Sequence, residues 1–156
     1  MNPKKRSFLN KMLISSIAVL SVFLFTGCYE GYVPFNATIE DKNILRSYLT
    51  ADSLNDYLDD PAPDVELRII DVRVIGYNIG HIPTAESYPS SEIASRLDEL
   101  GKDEYLLVYC ETGVRAQAVI RVLEGQGYTR MLNWGAGLRW VNAGYEFVKW
   151  SSRRQF

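Results

Sequence analysis

One stretch constrains this chain more than any other. Tyr105-Leu106-Leu107-Val108-Tyr109, a nearly continuous apolar run, leads directly into Cys110-Glu111-Thr112-Gly113-Val114-Arg115 and then into residues of helical period. A strand apolar at almost every position is buried on both faces, the situation of a parallel sheet covered by helices. The helical segment is expected over 114–123, with Ala118, Val119, Val122 and Leu123 inward and Gly125 and Gly127 stopping it. A second apolar strand is expected at 67–70 and a weaker one at 130–133, with helices over 52–58 and over 91–100, the latter placing Ile93, Leu97 and Leu100 on one face. Strand, loop and helix in that order predict a single α/β domain.

The chain has 156 residues, 47% of them hydrophobic and 23% charged, which gives room for one ordinary core and excludes a disordered or low-complexity protein. Its charges are uneven. Lys4, Lys5, Arg6 and Lys11 precede the first acid, Glu30, so residues 28–156 hold 13 of the 17 basic groups against all 19 acidic ones. An acidic domain without a basic cluster is a poor match for nucleic acid, whose phosphates demand Lys and Arg.

That basic cluster opens a targeting segment over residues 1–27. It is followed by an apolar run over 12–25, broken only by Ser15, Ser16 and Ser21, and by Thr26-Gly27-Cys28. The run is short for a membrane span, which needs about 20 apolar residues, and its order is that of a secretory signal. Leu24-Phe25-Thr26-Gly27-Cys28 resembles the lipobox of bacterial lipoproteins, although Phe25 stands where Leu is usual. The resemblance implies acylation of Cys28 and an extracytoplasmic domain held on a bacterial membrane. An uncleaved anchor or an ordinary signal peptide are the rival readings, and both also export the domain. Residues 28–43 read as a tether, 44–150 as the domain and 151–156 as a tail.

The chemistry is expected where the strand over 105–109 meets its helix. Ligands of α/β sheets bind at the carboxyl ends of the strands. There the free N–H groups and positive dipole end of a helix stabilise a thiolate, Gly113 permits a tight turn, and Arg115 adds a planar cation suited to sulfur or phosphorus oxyanions. An isolated free cysteine is most often a small buried hydrophobe. Its place in this loop, with glycine and arginine at fixed offsets, argues instead for an oxyanion-binding nucleophile.

Taken together, the motifs resemble the rhodanese-like domain family. Ile69-Ile70-Asp71-Val72-Arg73 is similar to its Asp-x-Arg strand end, and Gly80-His81-Ile82-Pro83-Thr84-Ala85 to its Gly-His-Ile-Pro-Gly-Ala segment. Residues 110–115 resemble its six-residue active loop, and Gly127-Tyr128, Gly135-Ala136-Gly137, Trp140 and Ala143-Gly144 its closing pattern. The resemblance implies a five-stranded parallel sheet with helices on both faces and a sulfurtransferase or sulfane-sulfur carrier. Cys110 would become a persulfide, cradled by Glu111, Thr112, Gly113, Val114 and Arg115. It implies a small sulfur-containing donor, such as thiosulfate, a polysulfide or a persulfide, a thiol or cyanide acceptor, and no metal or other cofactor. The spacing Cys-x4-Arg is one residue shorter than the Cys-x5-Arg loop of the related dual-specificity phosphatases, so the cradle suits sulfur better than phosphate.

Glu111 departs from the family, many of whose members carry a basic residue there. An acid beside the cysteine opposes a dianionic donor such as thiosulfate. It also keeps open a non-catalytic module that binds a protein partner. A thiol redox sensor is a third reading, weakened by the absence of a resolving cysteine once Cys28 is acylated. His81 is expected to hold structure by hydrogen bonding, Asp71 and Arg73 to form an ion pair, and Trp134, Trp140 and Trp150 to fill core and rim. One histidine and one cysteine besides Cys28 are too few soft ligands for zinc.

Overall fold

The computed structural model describes residues 30–149. The targeting segment, Cys28, Trp150 and the tail over 151–156 lie outside the described residues. The elements in chain order are α1 (Ile39–Ser47), α2 (Ala51–Asp59), β1 (Leu67–Asp71), β2 (Glu86–Ser87), β3 (Tyr105–Cys110), α3 (Val114–Gly125), β4 (Met131–Ala136) and α4 (Leu138–Asn142). Among the described residues the sheet has four strands in the order β2-β1-β3-β4, every pair parallel.

Among the described residues the expected fifth strand is absent from this sheet. The outer edge of β4 receives, among the described residues, two backbone bonds from the preceding chain, Gly31 N–H to Asn133 O at 2.7 Å and Asn133 N–H to Tyr32 O at 2.9 Å. Gly31, at φ 77°, and Pro34, which has no N–H, bracket this contact and stop it from growing into a ladder.

The pleat divides the core in two. Leu67, Ile69, Leu107, Tyr109, Leu132 and Trp134 pack with Leu45, Leu54 and Trp140 on the face covered by α1, α2 and α4. Ile70, Leu106, Val108, Cys110 and Met131 pack with Ala116, Val119, Ile120 and Leu123 of α3 on the other. Helices on both faces therefore bury β3 completely over Leu106–Cys110, as its apolar run requires.

Three expectations need correction. Residues 30–43 do not hang free as a tether. Val33 and Ala37 are buried, and α1 starts at Ile39 because Thr38 caps it, its Oγ1 accepting the Asp41 N–H at 3.0 Å. In place of a helix over 91–100 stand two 3-10 turns, Ile93–Ser95 and Leu97–Glu99. A helix of that length is marginal by itself, and the Tyr128 hydroxyl occupies the Leu97 and Leu100 carbonyls at 2.7 and 2.8 Å. In α3 the buried face is Ala116, Gln117, Val119, Ile120 and Leu123, while Ala118 and Val122 face solvent. That helix ends in a Schellman turn, with Gly127 N–H on Glu124 O and Tyr128 N–H on Leu123 O.

β4 also runs three residues beyond its expected end, to Ala136. Trp134 is an extra residue in the register, since Val108 pairs with Asn133 but Tyr109 pairs with Gly135. This bulge brings Asn133 and the Gly135 turn against the loop that follows β3.

Candidate active site

With all strands parallel, the ends of β1, β3 and β4 meet at one edge of the sheet. Cys110 is the last residue of β3 and α3 begins at Val114, so only Glu111, Thr112 and Gly113 make the connection. A turn that short demands a left-handed residue, and Gly113 supplies it at φ 84°. Space makes the same demand: a Cβ on Gly113 would stand 3.1 Å from the Gly135 Cα. The Gly113 N–H consequently points back and donates to Cys110 Sγ at 3.1 Å. The Cys110 carbonyl accepts from Gly137 N–H at 2.7 Å, which fixes the strand end from the other side.

Cys110 is fully buried, at 0% exposure, and is the free cysteine among the described residues. It lies beneath its loop with the N-terminus of α3 directed at the sulfur, where the peptide dipoles are positive. Glu111 and Thr112 are exposed, and Val114 is an exposed apolar residue at the start of the helix. Arg115 Nη1 is bonded to Glu111 Oε2 across the loop, both side chains about half exposed. Its guanidinium is thus engaged by the loop's own acid.

Asp71 and Arg73 form the other charged pair of this edge. The Asp71 carboxylate is fully buried and accepts from Arg73 Nε at 2.9 Å, from Arg73 Nη2 at 2.5 Å and from the Tyr109 hydroxyl at 2.9 Å. Arg73 also donates to Gly80 O at 2.6 Å. Burial is the largest influence and works against the Arg73 charge, but the hydrogen bonds to Asp71 and the charges of Asp71, Tyr109 and Glu111 together outweigh it and hold the guanidinium protonated beyond its ordinary range. Burial, reinforced by the Asp71 charge, pushes the Tyr109 phenol well above its ordinary value. Asp71 is partnered with Tyr109, whose ring lies on the sheet face opposite Cys110. The pair bolts the loop after β1 to β3 and does not touch the sulfur.

His81 is held in the same way. Its Nδ1 is 2.8 Å from Tyr77 O, its ring stacks on Tyr77 at 3.9 Å, and its backbone bridges Val148. Trp134 and Trp140 are core residues.

Sequence reasoning missed the residues that support the loop from behind. Asn133, fully buried, donates through Nδ2 to Gly113 O and to Gln117 Oε1, both at 3.1 Å, and accepts the Gly135 N–H freed by the bulge at 3.0 Å. Gln117 Nε2 is buried without a hydrogen-bond partner. A lone Asn in an apolar strand and a Gln on the inner face of a helix were the available signals, because buried amides are placed where they satisfy backbone.

The comparisons with known proteins agree with this geometry. The sequence profile of the rhodanese-like domain matches residues 50–144. A Bacillus subtilis protein named as a sulfur carrier, YrkF, is 32% identical over 77 residues, 49% of this chain and 42% of that protein. A sulfurtransferase of Allochromatium vinosum is 36% identical over 70 residues, 44% of this chain and 65% of that protein. The chain thus spans less than two thirds of either relative. The crystal structure of a rhodanese-like domain protein from Staphylococcus aureus superposes with a TM-score of 0.54 at 29% identity, covering 65% of this chain and 96% of that one. With its parallel sheet, its cysteine loop between β3 and α3 and this match over most of its length, the chain belongs to the rhodanese-like domain family.

Proposed function

We propose that this protein is a rhodanese-type sulfurtransferase or sulfane-sulfur carrier in which Cys110 holds the transferred sulfur. The observation that carries the reading is the Gly113 N–H directed at Cys110 Sγ from the start of α3, a donor set for a sulfur anion. The Cys110 thiolate attacks the outer sulfur of a persulfide or of thiosulfate, forming a new S–S bond. The old bond to that sulfur breaks, and the leaving thiolate or sulfite takes its electron pair. An acceptor thiolate or cyanide then attacks the outer sulfur of the Cys110 persulfide and restores the thiolate. The Glu111–Arg115 pair favours donors of low charge over thiosulfate, because the loop's guanidinium is already neutralised.

The domain acts outside the cytoplasm, held on a bacterial membrane by a lipid on Cys28. Among the described residues no helix is long and apolar enough to cross a membrane, and the anchor rests on the lipobox-like residues 24–28.

The full burial of Cys110 favours a second reading, a protein-binding module whose thiol turns nothing over. One experiment separates the two. Incubated with polysulfide and separately with thiosulfate, the transferase gains one sulfur atom by intact mass, loses it to cyanide, and gains nothing as Cys110→Ser. Folded protein that gains no sulfur from either donor is the binding module.

A further inference from the structure

The chain enters the domain at the edge that carries the Cys110 loop. Glu30 Cγ would lie 3.2 Å from a Cβ on Gly135, which in turn backs Gly113. Glu30 Oε1 is 2.8 Å from Arg139 Nη1, fastening this entry point to the residues just after β4. From there Gly31 and Tyr32 run along the edge of β4 towards its amino end, where Asp41 meets Tyr105, the first residue of β3. The supposed tether therefore supplies no reach: position 28 is two residues from Glu30, and an extended chain covers at most about 7 Å over that distance.

The same edge exposes apolar side chains that the core does not use. Val74, Ile75 and Ile79 follow β1, Val114 follows β3 and Leu138 follows β4, and Ile75 and Ile79 are about three quarters exposed. Three acids at this edge are paired within the protein, Glu30 with Arg139, Glu111 with Arg115 and Asp71 with Arg73. A face with apolar tips and internally paired charges approaches a lipid interface at little desolvation cost. Phe35 and Ile39 are also exposed, but they adjoin α1 at the opposite edge, about 20 Å away along a six-residue strand.

We propose that this carboxyl edge of the sheet docks on the lipid bilayer, with Val74, Ile75, Ile79, Val114 and Leu138 in the headgroup layer. The inference rests on the acylation of Cys28 proposed above and is independent of the sulfur chemistry. Acyl chains in the membrane hold position 28 at headgroup level, and Glu30 then has no freedom to lift the edge away. The Cys110 loop opens onto the headgroup layer, and the amino edge of the sheet faces water.

Full-length protein in phosphatidylcholine vesicles carrying a nitroxide-labelled lipid tests this. Environment-sensitive fluorophores are placed at Ile75→Cys, Leu138→Cys and Ile39→Cys in the Cys110→Ser background. Several-fold stronger quenching at 75 and 138 than at 39 is expected. Equal quenching at all three positions, or the strongest at 39, in protein whose mass shows the lipid on Cys28 overturns the docking. A mass without that lipid overturns it through its premise, separately from any result on persulfide formation. Amide exchange on the unsubstituted lipoprotein needs no surface variant. Slowing over 74–79 and 112–115 in vesicles, relative to Cys28→Ser protein in solution, supports the docking, and unchanged exchange there overturns it.

Discussion

Two arginine–carboxylate pairs stand at the same edge of this sheet and do opposite work. Arg73 and Asp71, after β1, are 10% and 0% exposed, share several hydrogen bonds, and join their loop to Tyr109 and Gly80. Arg115 and Glu111, after β3, are 48% and 44% exposed, each about half open to solvent. Desolvation makes the difference. A buried charge that loses its partner has no water to turn to, whereas an exposed one is rehydrated. The first pair is accordingly part of the fold, and the second is free to set the charge that a ligand meets.

The largest effect expected from this contrast is at Asp71. Replacing it by Ala leaves Arg73 buried and unpaired and should cost about 3–5 kcal/mol in urea unfolding. A cost as small as that of Glu111→Ala would erase the distinction between the two pairs. Next comes Gly113→Ala, because the shape of the Cys110 loop rests on backbone and not on its ion pair. A Cβ at φ 84° and 3.1 Å from the Gly135 Cα should cost about 2–3 kcal/mol, together with persulfide formation measured by mass.

Asp41 provides an intermediate case. It is 2.9 Å from Arg130, with the acid buried and the arginine about one third exposed. Burial would raise its carboxyl, but hydrogen bonds from Thr38 and Tyr105 and the Arg130 charge hold it below the ordinary 3.8. The unfolded chain therefore binds this proton first on acidification. The stability Asp41 contributes is complete above that value and is lost as pH falls through the lower, folded one. Asp41→Asn should cost about 1.5 kcal/mol at neutral pH, and the gap to the parent should close below about pH 4 in thermal melts recorded across pH.

The smallest stability effect belongs to Glu111→Gln, within about 0.5 kcal/mol of the parent. Its signature is kinetic. Freeing Arg115 should speed sulfur loading from dianionic thiosulfate more than from an uncharged organic trisulfide, and added salt should shrink that gain. An equal change with both donors would sever the link between this pair and ligand charge.

Asn133 shows where sequence reasoning stopped. Its type was legible, but its partners are Gly113, Gln117 and Gly135, brought together by a one-residue bulge that no local pattern announces. The segment over 91–100 shows the converse. Its apolar spacing marks a buried face, since Ile93 and Leu100 are buried, yet about ten residues are too few to hold a regular helix alone, and the 3-10 turns that form are fastened from outside by the Tyr128 hydroxyl on the Leu97 and Leu100 carbonyls. Residues 30–43 were misjudged because Val33 and Ala37 show no periodicity, and their burial depends on a sheet edge formed by residues about 100 positions later.

By itself the sequence determined the α/β class, the apolar β3, the glycine-governed turn from β3 into α3 and the family to which those motifs belong. These follow from local chemistry: residue period, β propensity and the φ values a side chain permits. Tertiary structure alone decided that the sheet has four strands among the described residues, that Asn133 braces the loop, and that the chain enters beside Cys110. Each of those depends on groups far apart in sequence competing for the same hydrogen bonds and the same space, and only the folded chain settles that competition.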